Sequence, residues 1–277
     1  MLEPGLLRTR AALLRALRSW LDAQGFLEVD VPVRVRSPAL EEHLEAFQVG
    51  GAWLHTSPEF ALKRVLAAGL GRVYSLGPCF RDDEHGRHHG AEFTMLEWYR
   101  LGTDYRGIAQ DLEALLQQVG GDLGVPVPAL EHISWARAWR DHVRSPVPAD
   151  PVEQFRGWVH HVEPALQRPT LVWDYPADQA AFATVRGDRA ERFELYWKGV
   201  ELANAFTELR DPGELLVRWQ ACNAHRRAAG RPPYPIDDRV VDAVGRHGPA
   251  GGIAVGVDRL LMVLLGLSDI HQARVPG

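Results

Sequence analysis

With 277 residues, 46% of them hydrophobic and 24% charged, the chain has the composition of a folded globular protein, which excludes disordered and collagen-like classes. A formal net charge of −5 argues against a large nucleic-acid-binding surface, because such surfaces are usually basic. No apolar run approaches the roughly 20 residues of a membrane span, and the N-terminal MLEPGLLRTR lacks the features of a signal peptide, so we expect one cytoplasmic domain over residues 1–277.

The first part of the chain predicts a helix, a strand and a β-hairpin. Leucines recur on one helical face up to Gly25, a residue typical of helix ends, which predicts a helix over residues 5–24. The next stretch, FLEVDVPV, alternates apolar and acidic residues as an edge strand does, and a helix followed by an edge strand suits a dimer interface. Residues 72–84 and 92–100 are predicted to be two strands joined by a polar loop.

The second part of the chain predicts a helical insertion, further strands and two more helices. Two short amphipathic patterns, EHISWARAWRDHV and VEQFRGWVHHVEPAL, indicate a small helical insertion near residues 120–168. TLVWDYP predicts a strand, and RFELYW and VELANAF predict a hairpin around Lys198 and Gly199. Asp211 can cap a helix that ends at Gly230, and GGIAVGV predicts a strand that leads into the helix DRLLMVLLG. Antiparallel strands interleaved with helices predict an α+β domain.

The second strand of the first hairpin carries an unusual face. Side chains alternate between the two faces of a strand, so every second residue from position 93 shares one face: Phe93, Met95, Glu97 and Tyr99. One interpretation is a half-buried sheet face whose aromatic residues belong to the core. The other is a binding site, which Glu97 favours because a buried carboxylate needs a partner.

Cationic groups occur at the hairpin loop and at the start of the last helix. The loop region contains four of them: Arg81, Arg87, His88 and His89. They suit a flexible anionic ligand such as phosphate, and the alternative is a solvated loop with ion pairs to acidic residues 82–84. The loop histidines lack the accompanying cysteines or the helical spacing of a metal site. Arg259 follows the glycine-rich GGIAVGVD at a helix N-terminus, which indicates a second anion site without a P-loop.

Two acidic residues in VELANAFTEL, Glu201 and Glu208, are seven positions apart. In a helix that spacing is two turns, whereas in a strand the two side chains would converge only with a bend, and the sequence leaves both arrangements open. If they converge, they would suit Mg²⁺ bound to phosphates, because Mg²⁺ prefers carboxylates and substrate oxygens. The alternative is a pair of surface acids.

Three segments, FRDDE…EFTMLEWY, FELYWKGVELANAFTEL and GIAVGVDRLLM, resemble in order the catalytic core of the class II aminoacyl-tRNA synthetases, in their lysyl branch. The first segment resembles motif 2 and the last resembles motif 3. The opening helix and strand through Pro32 resemble motif 1, which forms the dimer interface in that family. The resemblance covers nearly the whole chain and implies an antiparallel sheet flanked by helices, in a homodimer.

The chain begins at the helix that resembles motif 1, which predicts that the anticodon-binding domain of the lysyl-tRNA synthetases is absent. With TSPE at residues 56–59 and EFTMLEWYR, the chain is similar to the free-standing elongation factor P lysine lysyltransferases. That resemblance implies ATP-dependent activation of (R)-β-lysine or lysine as an aminoacyl-adenylate and its transfer to a lysine of elongation factor P. It also implies ATP and Mg²⁺ as cofactors, no stable tRNA binding and no membrane partner.

The resemblance assigns nine residues to ATP: Arg81, Asp83, Arg87, His89, Phe93, Glu201, Leu202, Gly256 and Arg259. Arg81 would hold the α-phosphate, Arg259 would hold the γ-phosphate, and Phe93 would stack on adenine. Asn204 would lie near the reacting carboxylate and the α-phosphate. The implied catalytic residues are therefore Arg81, Arg259 and Asn204.

The resemblance also implies that Glu201 and Glu208 hold Mg²⁺. The chain departs from the family at the adenine end, where Asp83 replaces a glutamate that contacts the adenine amino group. Gly90 and Ala91 replace the usual Asn-Pro. These departures predict weaker nucleotide binding.

Seven residues are assigned by the resemblance to the amino acid: Ser57, Pro58, Glu59, Glu97, Tyr99, Glu208 and Ala254. Ser57 and Glu59 would contact the amino-acid end, while Glu97 and Tyr99 would bind the side-chain ammonium. Ala254 stands where lysyl-tRNA synthetases tend to have glycine. Its methyl group would crowd the α-amino end of the pocket and suit a β-amino group.

Two alternatives remain open on the sequence alone. A truncated synthetase would charge tRNA or another acceptor directly, although neither an anticodon-binding domain nor a basic run is visible. A catalytically inert regulatory paralogue would tend to lose phosphate-binding arginines or metal-binding acids, whereas Arg81, Arg259, Glu201 and Glu208 are all retained. The substitution at Asp83 is the best support for this second alternative.

Overall fold

The computed structural model describes residues 3–39, 44–82 and 86–275. Asp83, which was predicted to contact adenine, lies outside the described residues. The helices are α1 (Pro4–Ala23), α2 (Glu59–Ala67), α3 (Tyr105–Leu123), α4 (Trp135–His142), α5 (Pro151–Gly157), α6 (Pro212–Ala228), α7 (Asp238–Arg246) and α8 (Val257–Leu265). Short helical turns cover Trp158–Val162, Glu163–Ala165, Ala177–Gln179 and Ile270–Ala273.

The strands are β1 (Leu27–Glu28), β2 (Arg34–Val35), β3 (Gln48–Val49), β4 (Ala52–Leu54), β5 (Arg72–Phe80), β6 (Glu92–Leu101), β7 (Glu131–Ser134), β8 (Thr170–Pro176), β9 (Val185–Arg186), β10 (Arg189–Trp197), β11 (Val200–Thr207) and β12 (Ala250–Gly256). In the described part of the chain, nine of them form one sheet in the order β1-β5-β6-β12-β11-β10-β8-β7, with β9 paired to β10. The strands β2, β4 and β3 form a second, small sheet.

The large sheet is mostly antiparallel. Its outermost pairs, β1 with β5 and β7 with β8, are parallel, and the pairs between them are antiparallel. The prediction of an α+β class with an antiparallel sheet flanked by helices is confirmed, with the correction that both edges of the sheet are parallel. Parallel edges arise because β1 and β7 each lie one crossover connection away from their partner strand.

The main core lies on one face of this sheet. The helices α1, α3 and α8 pack there against inward-facing residues of β6, β10, β11 and β12. The predicted helix over residues 5–24 is confirmed as α1, whose Leu13, Leu17 and Leu21 are fully buried. The opposite face of the sheet is partly covered by α2, and it carries the polar side chains described below.

Both predicted hairpins are confirmed. The pairs run from Arg72 with Arg100 to Phe80 with Glu92 in the first hairpin, so its first strand ends before residue 84. The second hairpin, β10 and β11, turns at Lys198 (φ 53°) and Gly199 (φ 73°). Two successive positive φ angles are typical of the tight turns whose twist matches that of paired strands.

The edge strand predicted from FLEVDVPV is much shorter than expected. Only Leu27 and Glu28 pair with β5, and the Val29 amide adds one more hydrogen bond to the Tyr74 carbonyl (2.7 Å). Pro32 has no amide hydrogen and cannot extend the ladder. Residues 29–33 therefore belong to no strand, and the next strand, β2, begins at Arg34.

The helices α2, α3 and α7 were not predicted, and the insertion differs from the prediction near residues 120–168. The helix α3 continues to Leu123, and EHIS forms the edge strand β7 instead of the start of a helix. The remaining insertion, α4, α5 and the turn Trp158–Val162, packs on β8 through stacked tryptophans. The Asp211 cap of α6 is confirmed by hydrogen bonds from the amides of Gly213 and Glu214.

Among the helices of the described residues, none is both long enough and apolar enough to span a lipid bilayer.

Candidate active site

Three neighbouring strands place polar side chains in rows on the face opposite the main core. Glu97 on β6 pairs with Ala254 on β12, and Ala254 pairs in turn with Asn204 on β11. Residues paired in this way lie side by side on the same face of a sheet. Two positions further along the strands on the same face, Tyr99 on β6 pairs with Gly252 on β12. The unusual strand face of the sequence is therefore part of a wider polar surface.

A β-bulge in β11 decides the placement of Glu201. Glu201 pairs with Tyr196 and Ala203 pairs with Leu195, which leaves Leu202 as an extra residue. One extra residue reverses the alternation of faces, so Leu202 and Ala203 both enter the main core. Glu201 consequently lies on the polar face.

The bulge places Glu201 on the same face as Asn204 and Glu208, but the two glutamates are not brought together. Along the strand they are about 20 Å apart, at roughly 3.3 Å per residue. Their partners also differ, because Glu201 Oε2 lies 3.6 Å from Arg259 Nη1 and Glu208 Oε2 lies 2.9 Å from Lys63 Nζ. The arrangement does not form the shared Mg²⁺ site that the sequence analysis predicted.

Glu97 lies in a buried polar pocket with the TSPE segment. Its carboxylate accepts hydrogen bonds from Ser57 Oγ (2.6 Å) and from the Tyr99 hydroxyl (2.6 Å). Ser57 Oγ also accepts a hydrogen bond from the Glu59 amide (3.0 Å), which fixes the loop at the point where Pro58 leads into α2. Residues predicted to bind the amino acid are thus brought together from distant parts of the chain.

Lys63 was not predicted from the sequence, and it joins two carboxylates of this pocket. Its Nζ lies 2.6 Å from Glu59 Oε1 and 2.9 Å from Glu208 Oε2. Only 1% of the Lys63 side chain is exposed, and the ammonium lies 4.6 Å from the centre of the Phe182 ring. The pairing with Glu59 at i,i+4 is a recognisable helical signal in the sequence, whereas the contact with Glu208 is not.

Glu208 retains unused capacity to accept hydrogen bonds. Apart from its close approach to Lys63, neither carboxylate oxygen has a hydrogen-bond partner among the described residues. Oε1 faces β12 closely, because a Cβ at Gly252 would lie 2.4 Å from it and 2.3 Å from Cε1 of Tyr99. Glycine is therefore required at position 252, and the buried carboxylate has an oxygen left for a ligand.

Burial raises the pKa values of two of the carboxyl groups in this pocket, Glu97 and Glu208. Burial and repulsion from Glu59 raise the pKa of Glu97 to about 8. Burial raises the pKa of Glu208 to about 7, although the Lys63 ammonium opposes this shift. Burial also disfavours the Lys63 ammonium, but the charges of Glu208 and Glu59 outweigh it and raise the pKa of Lys63 above its usual range. The pocket therefore holds more carboxyl groups than ammonium groups, and it suits a cationic ligand.

Arginines line the other end of the polar face. The guanidinium carbon of Arg81 lies 5.0 Å from the centre of the Phe93 ring. Arg259, in the first turn of α8, donates a hydrogen bond from Nε to the His88 carbonyl (3.0 Å) and from Nη1 to the Glu201 carbonyl (3.0 Å). Arg259 Nη1 lies 3.6 Å from Glu201 Oε2, and the charges of both arginines oppose the rise in the pKa of Glu201 that its burial causes. These predicted ATP ligands therefore lie together.

Glu201 and Glu163 are two acidic groups whose charges interact with Arg259. Burial and repulsion from Glu194 raise the pKa of Glu201 to about 7 in spite of the nearby arginines. Burial and the charge of Glu201 raise the pKa of Glu163 to about 7. Within the described ranges no group of three histidine, cysteine or acidic residues is arranged to hold a metal. Mg²⁺ nevertheless fits Glu201, because one or two carboxylates suffice when phosphates supply other ligands.

Asn204 is held between the two ends by Arg192, a residue that sequence reasoning missed. Arg192 Nε donates a hydrogen bond to Asn204 Oδ1 (3.2 Å), which leaves the Asn204 amide nitrogen to donate elsewhere. Arg192 is fixed in turn by an ion pair with Glu194 and by the Tyr175 ring, whose centre lies 4.5 Å from the guanidinium carbon. No local sequence signal marks Arg192, because its role depends on the pairing of β10 with β11.

The remaining predicted ATP residues lie around the same end. The Arg87 carbonyl accepts a hydrogen bond from the Ile270 amide (2.8 Å), and His89 forms an isolated bridge with Gly86. Gly256 immediately precedes α8. Leu202 points its side chain into the core, with only 2% exposed, so only its backbone is available to a nucleotide.

Comparison with known proteins agrees with this arrangement. The family model described as tRNA synthetases class II (D, K and N) matches residues 5–275. A Vibrio campbellii protein named elongation factor P--(R)-beta-lysine ligase is 36% identical over 306 residues, which cover 96% of this chain and 93% of the relative. Proteins of the same name from Vibrio cholerae (38% identical, covering 96% of this chain and 93% of the relative) and Yersinia enterocolitica (37%, 94% and 92%) are also similar. This chain therefore belongs to the class II tRNA synthetase family, within the group of the elongation factor P--(R)-beta-lysine ligases.

Proposed function

We propose that this enzyme uses ATP to activate (R)-β-lysine or lysine as an aminoacyl-adenylate and then transfers the amino acid to a lysine side chain of elongation factor P. The observation that carries the proposal is the division of one sheet face into a buried acidic pocket and an arginine-lined end. The acidic pocket suits the ammonium groups of a diamino acid, and the arginines suit a triphosphate. The names of the similar proteins support the choice of amino acid and acceptor.

In the first step, an oxygen of the substrate carboxylate attacks the α-phosphorus of ATP. A new bond forms between that oxygen and phosphorus, and the bond to the leaving pyrophosphate breaks. Arg81 and the amide nitrogen of Asn204 would stabilise charge on the α-phosphate, and Arg259 would bind the γ-phosphate. Such catalysis depends on positioning and on fixed charges that face the transition state.

In the second step, the neutral amine of the acceptor lysine attacks the carbonyl carbon of the adenylate. An amide bond forms, AMP leaves, and the amine releases a proton. No residue of the chain needs to form a covalent bond, since pyrophosphate leaves from the phosphoanhydride of ATP in the first step and AMP leaves from the mixed anhydride of the adenylate in the second.

Mg²⁺ would be bound by Glu201 together with phosphate oxygens, and it would neutralise charge that develops on the leaving pyrophosphate. Burial and the charge of Glu194 raise the pKa of Glu201, and a bound cation would favour its ionised form. Glu208 is reserved for the amino acid in this proposal, since it lies with Lys63 at the opposite end.

Ala254 would tune the choice between lysine isomers. It lies between Glu97 and Asn204 in one cross-strand row, so its methyl group faces the space between the ammonium pocket and the reacting carboxylate. A methyl group there reduces the room for an α-amino group, and a β-amino group lies one carbon further away. The position therefore favours (R)-β-lysine.

A homodimer is part of the proposal. The short strand β1 leaves Leu27 and Val33 exposed, and a cavity of about 390 Å³ between α1, β1 and β5 lies beside them. A second copy would cover these apolar side chains. A translation factor as acceptor would also place the enzyme in the cytoplasm, without stable tRNA binding.

The test is the intact mass of elongation factor P after incubation with the enzyme, ATP, Mg²⁺ and (R)-β-lysine. We expect a gain of one lysyl residue that requires ATP and is absent when the acceptor lysine is replaced by arginine. No gain, together with lysine-dependent pyrophosphate exchange, would show that the acceptor is wrong and favour a tRNA-charging enzyme. No gain and no exchange would favour an inert paralogue.

A further inference from the structure

We propose that Lys63 is a built-in counter-ion that sets the net charge of the amino-acid pocket and thereby matches it to substrates with two ammonium groups. This inference rests on the proposed function. Lys63 is a positioning residue in this account, because it acts through Glu59 and Glu208 and not by contact with the reacting atoms.

The geometry makes Lys63 part of the pocket. Its ammonium bridges Glu59 on α2 and Glu208 on β11, at 2.6 Å and 2.9 Å. The three side chains are 1%, 8% and 0% exposed, so water cannot screen their charges effectively. Both partners belong to the set of residues predicted to bind the amino acid.

Several titratable groups face Lys63 from the elements around it. Glu59 lies on its own helix, Glu97 and Tyr99 lie on β6, Glu208 follows β11, and His247 follows α7. Burial lowers the pKa of His247, which keeps that ring neutral near pH 7, and burial raises the pKa of Tyr99, which keeps the phenol neutral. Three carboxyl groups and one ammonium therefore determine the formal charge, which is −2 once all three carboxyl groups are ionised, above the pKa of about 8 of Glu97.

A diamino acid carries two ammonium groups, so it makes the pocket neutral when it binds. Without Lys63, three carboxylates would face the same two ammonium groups. The extra negative charge would raise the pKa of Glu97 further, so its protonated form would persist to a higher pH than in wild type. A protonated carboxyl group no longer attracts an ammonium group, and the apparent affinity for substrate falls.

The first experiment compares wild type with Lys63→Met in pyrophosphate exchange, with lysine and with (R)-β-lysine, from about pH 6.5 to about pH 9.5. We expect KM for both amino acids to rise about tenfold near pH 7, with kcat changed less than about threefold. The pH at which kcat/KM levels off should move upward by about one unit or more, because the variant lacks the charge that favours ionised carboxylates.

The matched control is Lys198→Met, which removes the same side chain from the β10–β11 turn, where Nζ bonds to the Val263 carbonyl. It should keep the wild-type pH profile. A shifted profile in this variant as well would attribute the effect to overall charge and would overturn the proposal.

A second variant combines Lys63→Met with Glu59→Gln. It removes one charge of each sign, so the formal charge returns to −2, and Glu208 is the former partner of Lys63 that keeps its charge. We expect the pH at which kcat/KM levels off to return to the wild-type position, even if KM itself remains higher. If Lys63→Met alone does not fold, the pH profile of this double variant still tests whether the net charge of the pocket controls its ionisation.

Three results would contradict the proposal. An unchanged pH profile in Lys63→Met would show that Lys63 is only structural. A double variant whose profile remains shifted would show that net charge is not the controlling quantity. If wild type catalyses no exchange with either diamino acid, the proposed function fails and this inference fails with it, whereas the first two results leave the proposed function intact.

Discussion

The charged groups at opposite ends of the polar sheet face are held in different ways. At the acidic end, Lys63 and Glu208 are 1% and 0% exposed and bind each other directly. At the arginine end, Arg259 is 20% exposed and Glu201 is 38% exposed, and the hydrogen bonds of Arg259 go to backbone carbonyls. Phosphate oxygens can replace carbonyl acceptors with little movement. The acidic end is thus closed by contacts between its own side chains, whereas the arginine end keeps exposed charged groups that a ligand can contact.

The largest expected effect comes from the arginine end. Arg259→Ala should lower the rate of pyrophosphate exchange by about 10³-fold, because one fixed charge that faces the triphosphate is lost. The thermal midpoint should change little, since Arg259 makes its hydrogen bonds to carbonyls at the rim of the site. Arg156→Ala on the exposed face of α5 is the matched control and should keep full activity. Exchange at the wild-type rate in Arg259→Ala would show that the last helix does not bind ATP.

A substitution at the acidic end should affect stability as well as activity. Gly252→Ala would place a Cβ 2.4 Å from Glu208 Oε1 and 2.3 Å from the Tyr99 ring, so these buried side chains must move. We expect a loss of about 2 kcal/mol in the free energy of unfolding and a loss of about 100-fold in kcat/KM for lysine.

The control for this substitution is Gly71→Ala, where an added Cβ meets no atom within 4 Å. Its denaturation midpoint and kinetics should match wild type. If Gly252→Ala were as stable and active as Gly71→Ala, the close approach of Glu208 to β12 would not exist in solution.

The pH dependence of amino-acid use provides an intermediate effect. Burial and the charge of Glu59 raise the pKa of Glu97 to about 8, so the free enzyme holds a proton on Glu97 below that pH. Binding of an ammonium group requires the ionised form, so kcat/KM for lysine should rise about tenfold per pH unit from pH 6 to pH 8 and then level off. Measurements at saturating ATP and Mg²⁺ isolate this end of the site.

Glu97→Gln is the control for the pH experiment. It should lower kcat/KM at every pH and remove the rise, since the amide does not titrate. A rise of the same steepness in Glu97→Gln would assign the titration to another group, such as Glu208.

The smallest effect concerns the residue between the two ends. Ala254→Gly should shift the ratio of kcat/KM for lysine and (R)-β-lysine about tenfold toward lysine, the size expected for one methyl group in a pocket. The measurement is pyrophosphate exchange with each isomer, and Ala254→Ser, which keeps the bulk of the side chain, should retain the wild-type ratio. An unchanged ratio in Ala254→Gly would remove Ala254 from the account of specificity.

Local patterns predicted the framework of the site. The alternation of residues 92–100 placed Phe93, Glu97 and Tyr99 on one face, and the sheet register agrees with it. The helix α1 and both hairpins were predicted because their signals, spaced leucines and tight turns, are contained in short segments. The helix α3 was missed although Asp104 caps it, because Gly107, Gly120 and Gly121 weaken a helical pattern.

Contacts between distant segments explain what the sequence did not reveal. Lys63 and Glu208 are 145 positions apart, and nothing in either segment indicates that they meet. Arg192 supports Asn204 only because β10 pairs with β11. The separation of Glu201 from Glu208 follows from strand geometry, which the seven-residue spacing left open, whereas the prediction of a shared Mg²⁺ site was carried over from the family resemblance.

The bulge at Leu202 shifts the alternation of faces along β11 by one residue. Glu201 faces the polar side before the bulge, and after it the even-numbered Asn204 and Glu208 lie on that side. Deleting Leu202 would remove the bulge and would still leave Glu201 opposite Tyr196 and Ala203 opposite Leu195, so Glu201 would keep its face. Inserting a residue between Asn204 and Glu208 would instead turn Glu208 away from the acidic pocket. Within this segment, the effect of a change of length therefore depends on which side of Asn204 it falls.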